Sequence, residues 1–298
     1  MKIFLTGKSG QLGSKLEKDL ISSHEVIATD RDTLNLIDVQ IIKDTIHQIK
    51  PDLIINAAAY TDVDKAEKEK DLAYQINALA PHVLSKSAED LNVPIIHIST
   101  DYIFDGLKKD AYEENDKANP LSVYGKTKWE GEEFVRQYSK HFILRTSWVF
   151  SSQGHNFLNT IYKLAQEKNS LNIVYDQWGS PTSVQIISDA IQIIIQHLEK
   201  QNNFDVYGTY HLSLDGETNW YLYARKILDI LEALKIKVKL KKDDVHPILS
   251  SQCPQDAIRP KNSRLNTSKF KNTFMLEFPS WENELENTVS QIIQALKK

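Results

Sequence analysis

The chain has 298 residues, 41% hydrophobic and 26% charged, which is long enough to bury a substantial core and too apolar for a disordered or fibrous class. Lys+Arg 36 against Asp+Glu 40 leaves a net charge of −4, so no global positive field exists to draw in nucleic acid. A single cysteine, Cys253, excludes an intramolecular disulfide framework and a cysteine-built zinc site. The most apolar stretch, 186–198, is broken by Ser188, Asp189, Gln192 and Gln196, so no membrane span is expected. The N-terminus lacks the long apolar region of a leader and reads as a buried first strand, with a cytoplasmic location expected.

Continuous apolar runs of strand length fall at 3–6, 26–29, 53–57, 95–98 and 142–146. Unbroken rather than alternating hydrophobicity means strands covered on both faces. Between them, helical periodicity predicts helices over 12–22, 39–49, 72–91 and 121–139. Such alternation implies right-handed crossovers and an α/β fold, a Rossmann-type doubly wound parallel sheet. Beyond residue 149 the pattern predicts helices at 157–168 and 184–200 around a loop at 176–182, then a helix at 220–234, a turn-rich stretch at 243–266 and a closing helix at 281–296. With no internal repeat and no flexible linker, a smaller interleaved α/β lobe is expected. Residues 1–150 and about 180–215 would form the dinucleotide-binding part, and about 151–179 and 216–298 the second lobe.

Three groups of residues signal chemistry. Gly7, Gly10 and Gly13 fall directly between the first strand and first helix, where glycines let the backbone approach a pyrophosphate and helix N–H groups favour its charge. Asp30 ends the second strand, where a carboxylate accepts from an adenosine ribose; Arg31 beside it suits a 2′-phosphate, so the pair leaves NAD and NADP both open. Tyr124 and Lys128 stand four apart on one helix face, so the ammonium is expected to lower the phenol's pKa. Thr100 ends the fourth strand, where open α/β sheets bind ligands, and can donate to a substrate carbonyl. His97, inside an apolar strand, reads as a core histidine without chemistry.

These residues resemble the extended short-chain dehydrogenase/reductase superfamily. Longer blocks, Asn56 to Glu67, Ser99 to Gly106, Pro120 to Lys128, Arg145 to Phe150, Asp176 to Thr182 and Arg259 to Leu265, resemble the dTDP-4-dehydrorhamnose reductase family over nearly the whole chain. The resemblance implies hydride transfer from NADPH, or NADH, to the 4-keto carbon of a dTDP-sugar. Tyr124 would supply the proton, Lys128 would hold the nicotinamide ribose, and Thr100 would polarise the carbonyl. It places Gly10, Gln11, Leu12, Asp30, Asn35, Leu36, Ala58, Ala59 and Tyr60 at the cofactor. Thr61, Asp101, Trp148, Asn156, Phe157 and Arg259 match positions near the sugar nucleotide.

Departures from the family pattern occur at Asn35 and Ile98, where Asp and Tyr are common. Some members also dimerise through acids that bind Mg2+, and the matching positions here are Lys15 and Gln185, poor ligands for a hard cation. No metal and a monomer or weak homodimer are therefore expected. Alternative readings are another sugar-nucleotide 4-ketoreductase or epimerase, and a non-catalytic regulatory subunit of the methionine adenosyltransferase type. A 4,6-dehydratase would carry Asp-Glu after the threonine, where this chain has Asp101 and Tyr102.

Overall fold

The computed structural model describes residues 1–200 and 206–296. Its first half runs β1 (Lys2–Thr6), α1 (Gln11–Leu20), β2 (Glu25–Thr29), α2 (Val39–Ile49), β3 (Leu53–Asn56), α3 (Val63–Ala66), α4 (Lys70–Tyr74), α5 (Ala80–Leu91), β4 (Ile95–Thr100), α6 (Val123–Arg136) and β5 (His141–Thr146). The second half runs β6 (Val149–Phe150), α7 (Phe157–Glu167), β7 (Leu171–Val174), β8 (Trp178–Gly179), β9 (Thr182–Ser183), α8 (Val184–Glu199), β10 (Gly208–His211), β11 (Thr218–Asn219), α9 (Trp220–Ala233), β12 (Val245–Ile248), α10 (Ser268–Phe274) and α11 (Trp281–Leu296).

Six of these strands form one parallel sheet in the order β10-β5-β4-β3-β1-β2. The chain steps outward from β1 to β2, then crosses back past β1 to β3. That reversal opens a crevice beyond the carboxyl ends of β1 and β3, the place where doubly wound sheets bind ligands. Alternate side chains of each strand meet helices on opposite faces. Ile3, Leu5, Leu53 and Ile55 pack with Leu12 and Leu16 of α1 and Ile187 and Ile191 of α8. Phe4, Ile54 and Ile95 pack with Ile42 and Ile46 of α2 and Leu84 and Ala88 of α5. This two-sided cover is why the strands read as unbroken apolar runs. A second core gathers Leu158 and Ile161 of α7, Tyr223, Ile227 and Leu231 of α9, and Leu285 and Val289 of α11. Part of the returning stretch expected at about 180–215, namely 201–205, lies outside the described residues.

The strand and helix positions expected for the first half agree with the structure except at 72–91, where one helix was expected. A π-turn, Gln75–Leu79, separates α4 from α5 and turns Asn77 into the interior. Periodicity does not register a one-residue insertion of this kind, which marks functional sites more often than plain helix does. The turn-rich 243–266 stretch also hides β12, paired in parallel with β7, and α10 follows unannounced. Four-residue strands are too short to show a period.

One buried ion pair ties the sheet to α6. Arg145 of β5 and Glu132 of α6 are 1% and 0% exposed, and the guanidinium meets both carboxylate oxygens at 2.8–3.1 Å. Ser99 of β4 and Arg136 also donate to Glu132, while Arg145 reaches the Glu114 carbonyl. Removing one partner strands a charge in a dry interior. Arg145→Met should lower stability by about 3 kcal/mol or more in urea unfolding, and Arg145→Met with Glu132→Met by clearly less. A loss in the double variant equal to the sum of the two single losses would show that the pair does not act as a unit.

Candidate active site

The glycine loop lies at the crevice between β1 and β3. Gly7 has φ +84°, and a Cβ on Gly13 would fall 2.0 Å from the Gly7 carbonyl oxygen, so the turn closes only without side chains. Gly10 precedes α1 with no side-chain cap, and leaves the N–H groups of Gln11, Leu12 and Gly13 for an anion rather than for the protein. The donors and the missing side chains fit the pyrophosphate of a dinucleotide.

Asp30 closes β2, with Oδ1 accepting from the Thr33 hydroxyl at 2.9 Å. That hydrogen bond, with Lys8 alongside, holds its carboxyl below the usual range. Lys8 Nζ stands 3.8 Å from Asp30 Oδ2, a cation from inside the glycine loop that motif spacing did not single out. Arg31 follows Asp30 on the exposed side. Asn35 accepts from the Ile37 amide and Leu36 packs on the core beneath α2.

The loop after β3, Ala58 to Tyr60, is held by Asn77. Its Oδ1 accepts from the Tyr60 amide at 2.8 Å and its Nδ2 donates to the Tyr60 carbonyl at 3.1 Å. Nδ2 also lies 3.2 Å from the Thr127 hydroxyl of α6. The π-turn thus couples this loop to α6. The only sequence signal for this role is an asparagine inside a helical pattern. The Tyr60 hydroxyl donates to Glu69, and Thr61 is exposed at the loop's end.

Ser122 starts α6 by accepting from the Gly125 amide, which sets the rotation of the helix and so the direction of Tyr124 and Lys128. Thr100 lies within hydrogen-bonding reach of Tyr124 and donates to Asp101 Oδ1 at 3.0 Å. Thr100 and Tyr124 thus lie together, and Lys128 follows one turn along α6, with one correction to the expected pairing. Lys128 does not lower the Tyr124 pKa: burial pushes the phenol up to about 12, and Lys128 Nζ is turned to the Ile98 carbonyl at 2.6 Å. Burial also pushes Lys128 down to about 8 against the pull of Glu132. A phenol that keeps its proton at neutral pH suits a proton donor.

Asp101 is 3% exposed, and its Oδ2 has no hydrogen bond of good geometry although Ser263 lies close. Burial raises its carboxyl to about 6. Tyr102 sets its ring edge-on to Tyr124 at 5.7 Å, and its hydroxyl meets Arg259. Arg259 in turn pairs with Asp64 at 2.7 Å. It is engaged by protein groups at the mouth of the crevice. Trp148, at φ +48°, stacks on Trp220 with 3.5 Å between ring centroids, and Phe157 packs on the same indole at 4.6 Å. Asn156 caps α7 and donates to Gln11 Oε1 at 2.7 Å, so the second lobe touches the glycine loop directly.

A glycine loop after β1, an acid after β2, and Thr100, Tyr124 and Lys128 at β4 and α6 are the features expected of a short-chain dehydrogenase. The family model described as RmlD substrate binding domain matches residues 1–294. The dTDP-4-dehydrorhamnose reductase of Salmonella typhimurium is 37% identical over 98% of both chains. Among solved structures, a dTDP-4-dehydrorhamnose reductase of Clostridium acetobutylicum superposes with TM-score 0.89 at 36% identity, over 98% of this chain and 99% of that one. The Bacillus anthracis reductase, solved in complex with NADP, gives 0.88 at 34%, over 97% and 99%. The chain belongs to the dTDP-4-dehydrorhamnose reductase family.

The raised Asp101 carboxyl has a thermodynamic consequence. Its folded pKa lies above the unfolded value, so the protonated form is favoured on folding. That contribution is complete below about pH 4 and is lost as pH rises through about 6. Relative to wild type, Asp101→Asn should gain about 1–3 kcal/mol in urea unfolding between pH 4 and pH 7. A difference independent of pH would show that Asp101 titrates normally.

Proposed function

We propose that this protein reduces the 4-keto group of dTDP-4-dehydro-β-L-rhamnose with NADPH, giving dTDP-β-L-rhamnose for polysaccharide synthesis. Thr100 within reach of Tyr124 beyond the carboxyl end of β4, with Lys128 one turn further along α6, in a chain of this family, carries the reading. When bound, the dinucleotide supplies the hydride. Thr100 donates to the ketone oxygen, and the Tyr124 phenol gives its proton as that oxygen becomes an alcohol. Lys128 presents an N–H toward the nicotinamide ribose. Gly10, Gln11 and Leu12 hold the pyrophosphate and Asp30 the adenosine ribose. The sheet with α1 to α6 and α8 forms the cofactor lobe, and the core built on α7, α9 and α11 forms the sugar-nucleotide lobe. Thr61, Asp101, Trp148, Asn156, Phe157 and Arg259 lie along the boundary between them.

NADPH is the preferred cofactor in this reading, because Lys8 and Arg31 both flank Asp30 where a 2′-phosphate would sit. The enzyme works in the cytoplasm as a monomer or weak homodimer without bridging metal. Lys15 is paired with Asp19, and Gln185 with Asp189, at the positions of the family's acidic ligands. The aligned catalytic residues disfavour a purely regulatory subunit. Tyr102, half-buried and held by Arg259, stands in place of the second acid that dehydration requires.

Purified protein given NADPH and dTDP-4-dehydrorhamnose should consume the reduced cofactor and yield dTDP-rhamnose by NMR; no turnover with NADPH or NADH refutes the proposal. Tyr124→Phe should cut kcat by about 100-fold or more while retaining cofactor binding. Lys8→Ala with Arg31→Ala should reduce the preference for NADPH over NADH by about tenfold or more in kcat/KM. An unchanged ratio would place the discrimination elsewhere.

A further inference from the structure

A polar row crosses the sheet face that is otherwise filled by Phe4, Ile54 and Ile95. In the strand register, Thr6 of β1 pairs with Asn56 of β3, and Asn56 with His97 of β4. None of the three is more than 1% exposed. Thr6 Oγ1 donates to Asn56 Oδ1 at 2.7 Å, Asn56 Nδ2 lies 3.0 Å from His97 Nδ1, and His97 Nε2 lies 3.5 Å from Lys128 Nζ. At the far end Thr6 Oγ1 accepts from the Ala58 amide at 3.3 Å. The row therefore runs from the catalytic lysine to the loop after β3. Aliphatic side chains would fill the space without burying polar groups.

We propose that His97, oriented by Asn56, is a positioning residue for Lys128 that matches its own hydrogen-bond polarity to the charge on the lysine. The proposal rests on the role given to Lys128 above. An ammonium has three N–H groups. The Ile98 carbonyl takes one, His97 Nε2, 3.5 Å away, takes the second when its own proton sits on Nδ1, and one is left for the cofactor ribose or Tyr124.

Two arrangements of the row pair His97 with Lys128, and the one seen also gives the Thr6 hydroxyl its acceptor. In the one seen, the Asn56 NH2 faces His97 Nδ1, which puts the imidazole proton on Nε2, opposite an amine lone pair. With the amide turned by half a revolution, its oxygen accepts from His97 Nδ1–H, and Nε2 accepts from the ammonium. The first suits neutral Lys128 and the second charged Lys128. An amide in the row passes on hydrogen-bond direction and not a proton. His97 stays neutral throughout, because burial and the neighbouring lysine hold it well below the usual range. Besides His97, the charged group that acts on Lys128 is Glu132 of α6, which is already paired with Arg145 of β5; Tyr124, one turn back on α6, in turn feels Asp101 after β4.

Three substitutions and one measurement on the unaltered enzyme test the row. His97→Leu leaves the ammonium without its acceptor, so NADPH affinity in a fluorescence titration should fall about tenfold, with dTDP affinity unchanged. The basic limb of the kcat/KM pH profile should move down by about one unit. His97→Gln offers a carboxamide oxygen and should restore most of the affinity. Asn56→Asp can only accept, holds the proton on Nδ1, and should move the limb up instead. Ring 15N shifts of His97 in the wild-type protein should change from the Nδ1–H to the Nε2–H tautomer between about pH 6 and pH 9. A basic limb unmoved in both His97→Leu and Asn56→Asp overturns the proposal, as does one tautomer or an imidazolium across that range. A histidine that serves packing alone would lower thermal stability and leave limb and tautomer in place. Absence of turnover in wild type would instead refute the function, while cofactor titration and ring shifts still judge the row.

Discussion

Helix α6 sits closer to its neighbours than side chains permit. A Cβ on Gly125 would fall 2.2 Å from the Tyr102 carbonyl oxygen, and one on Gly131 would fall 2.1 Å from the Asn77 carbonyl oxygen. These two approaches fix the helix against the end of β4 and against the π-turn together. Ser122 then sets its rotation, and Glu132 locks it to Arg145 of β5. Tyr124 and Lys128 reach the crevice because the helix carrying them is pressed onto backbone at two points and tied by a buried ion pair at a third.

The cost of this arrangement is concentrated where the chemistry is. Thr6, Asn56, His97, Thr100, Asp101, Lys128, Glu132 and Arg145 are all nearly or fully removed from water. Burial opposes the charged form of Asp101 and Lys128 in opposite directions, bringing an acid up and a base down toward neutrality. Tyr124, under the same influence, keeps its proton. A dry site between a sheet end and a close helix thus produces a phenol that holds its proton, a lysine near its titration point and an acid near its own.

Much of this was legible in the chain. Two-sided burial leaves unbroken apolar runs, so β1 to β5 could be located, and glycines between a strand and a helix mark a turn that only they can make. Tyr124 and Lys128, four apart, had to share a helix face. Less legible were interactions made by single residues whose sequence neighbours say nothing about them. Asn77 acts through an inserted residue in a helix, Lys8 through the way the glycine loop folds back on β2, and Arg259 through Asp64, far away in sequence. The expectation that Lys128 would lower the Tyr124 pKa failed because spacing gives direction along a helix but not depth below the surface.

The sequence by itself determined the strands of the sheet, the glycine loop, the candidate residues Thr100, Tyr124 and Lys128, and the family, because each depends on local spacing or on extended similarity. Only the tertiary structure decided the strand order with its switch point, the row from Thr6 to Lys128, and the protonation of Tyr124 and Asp101. Those depend on which strands become neighbours and how much water is excluded, and neither is encoded at any one place along the chain.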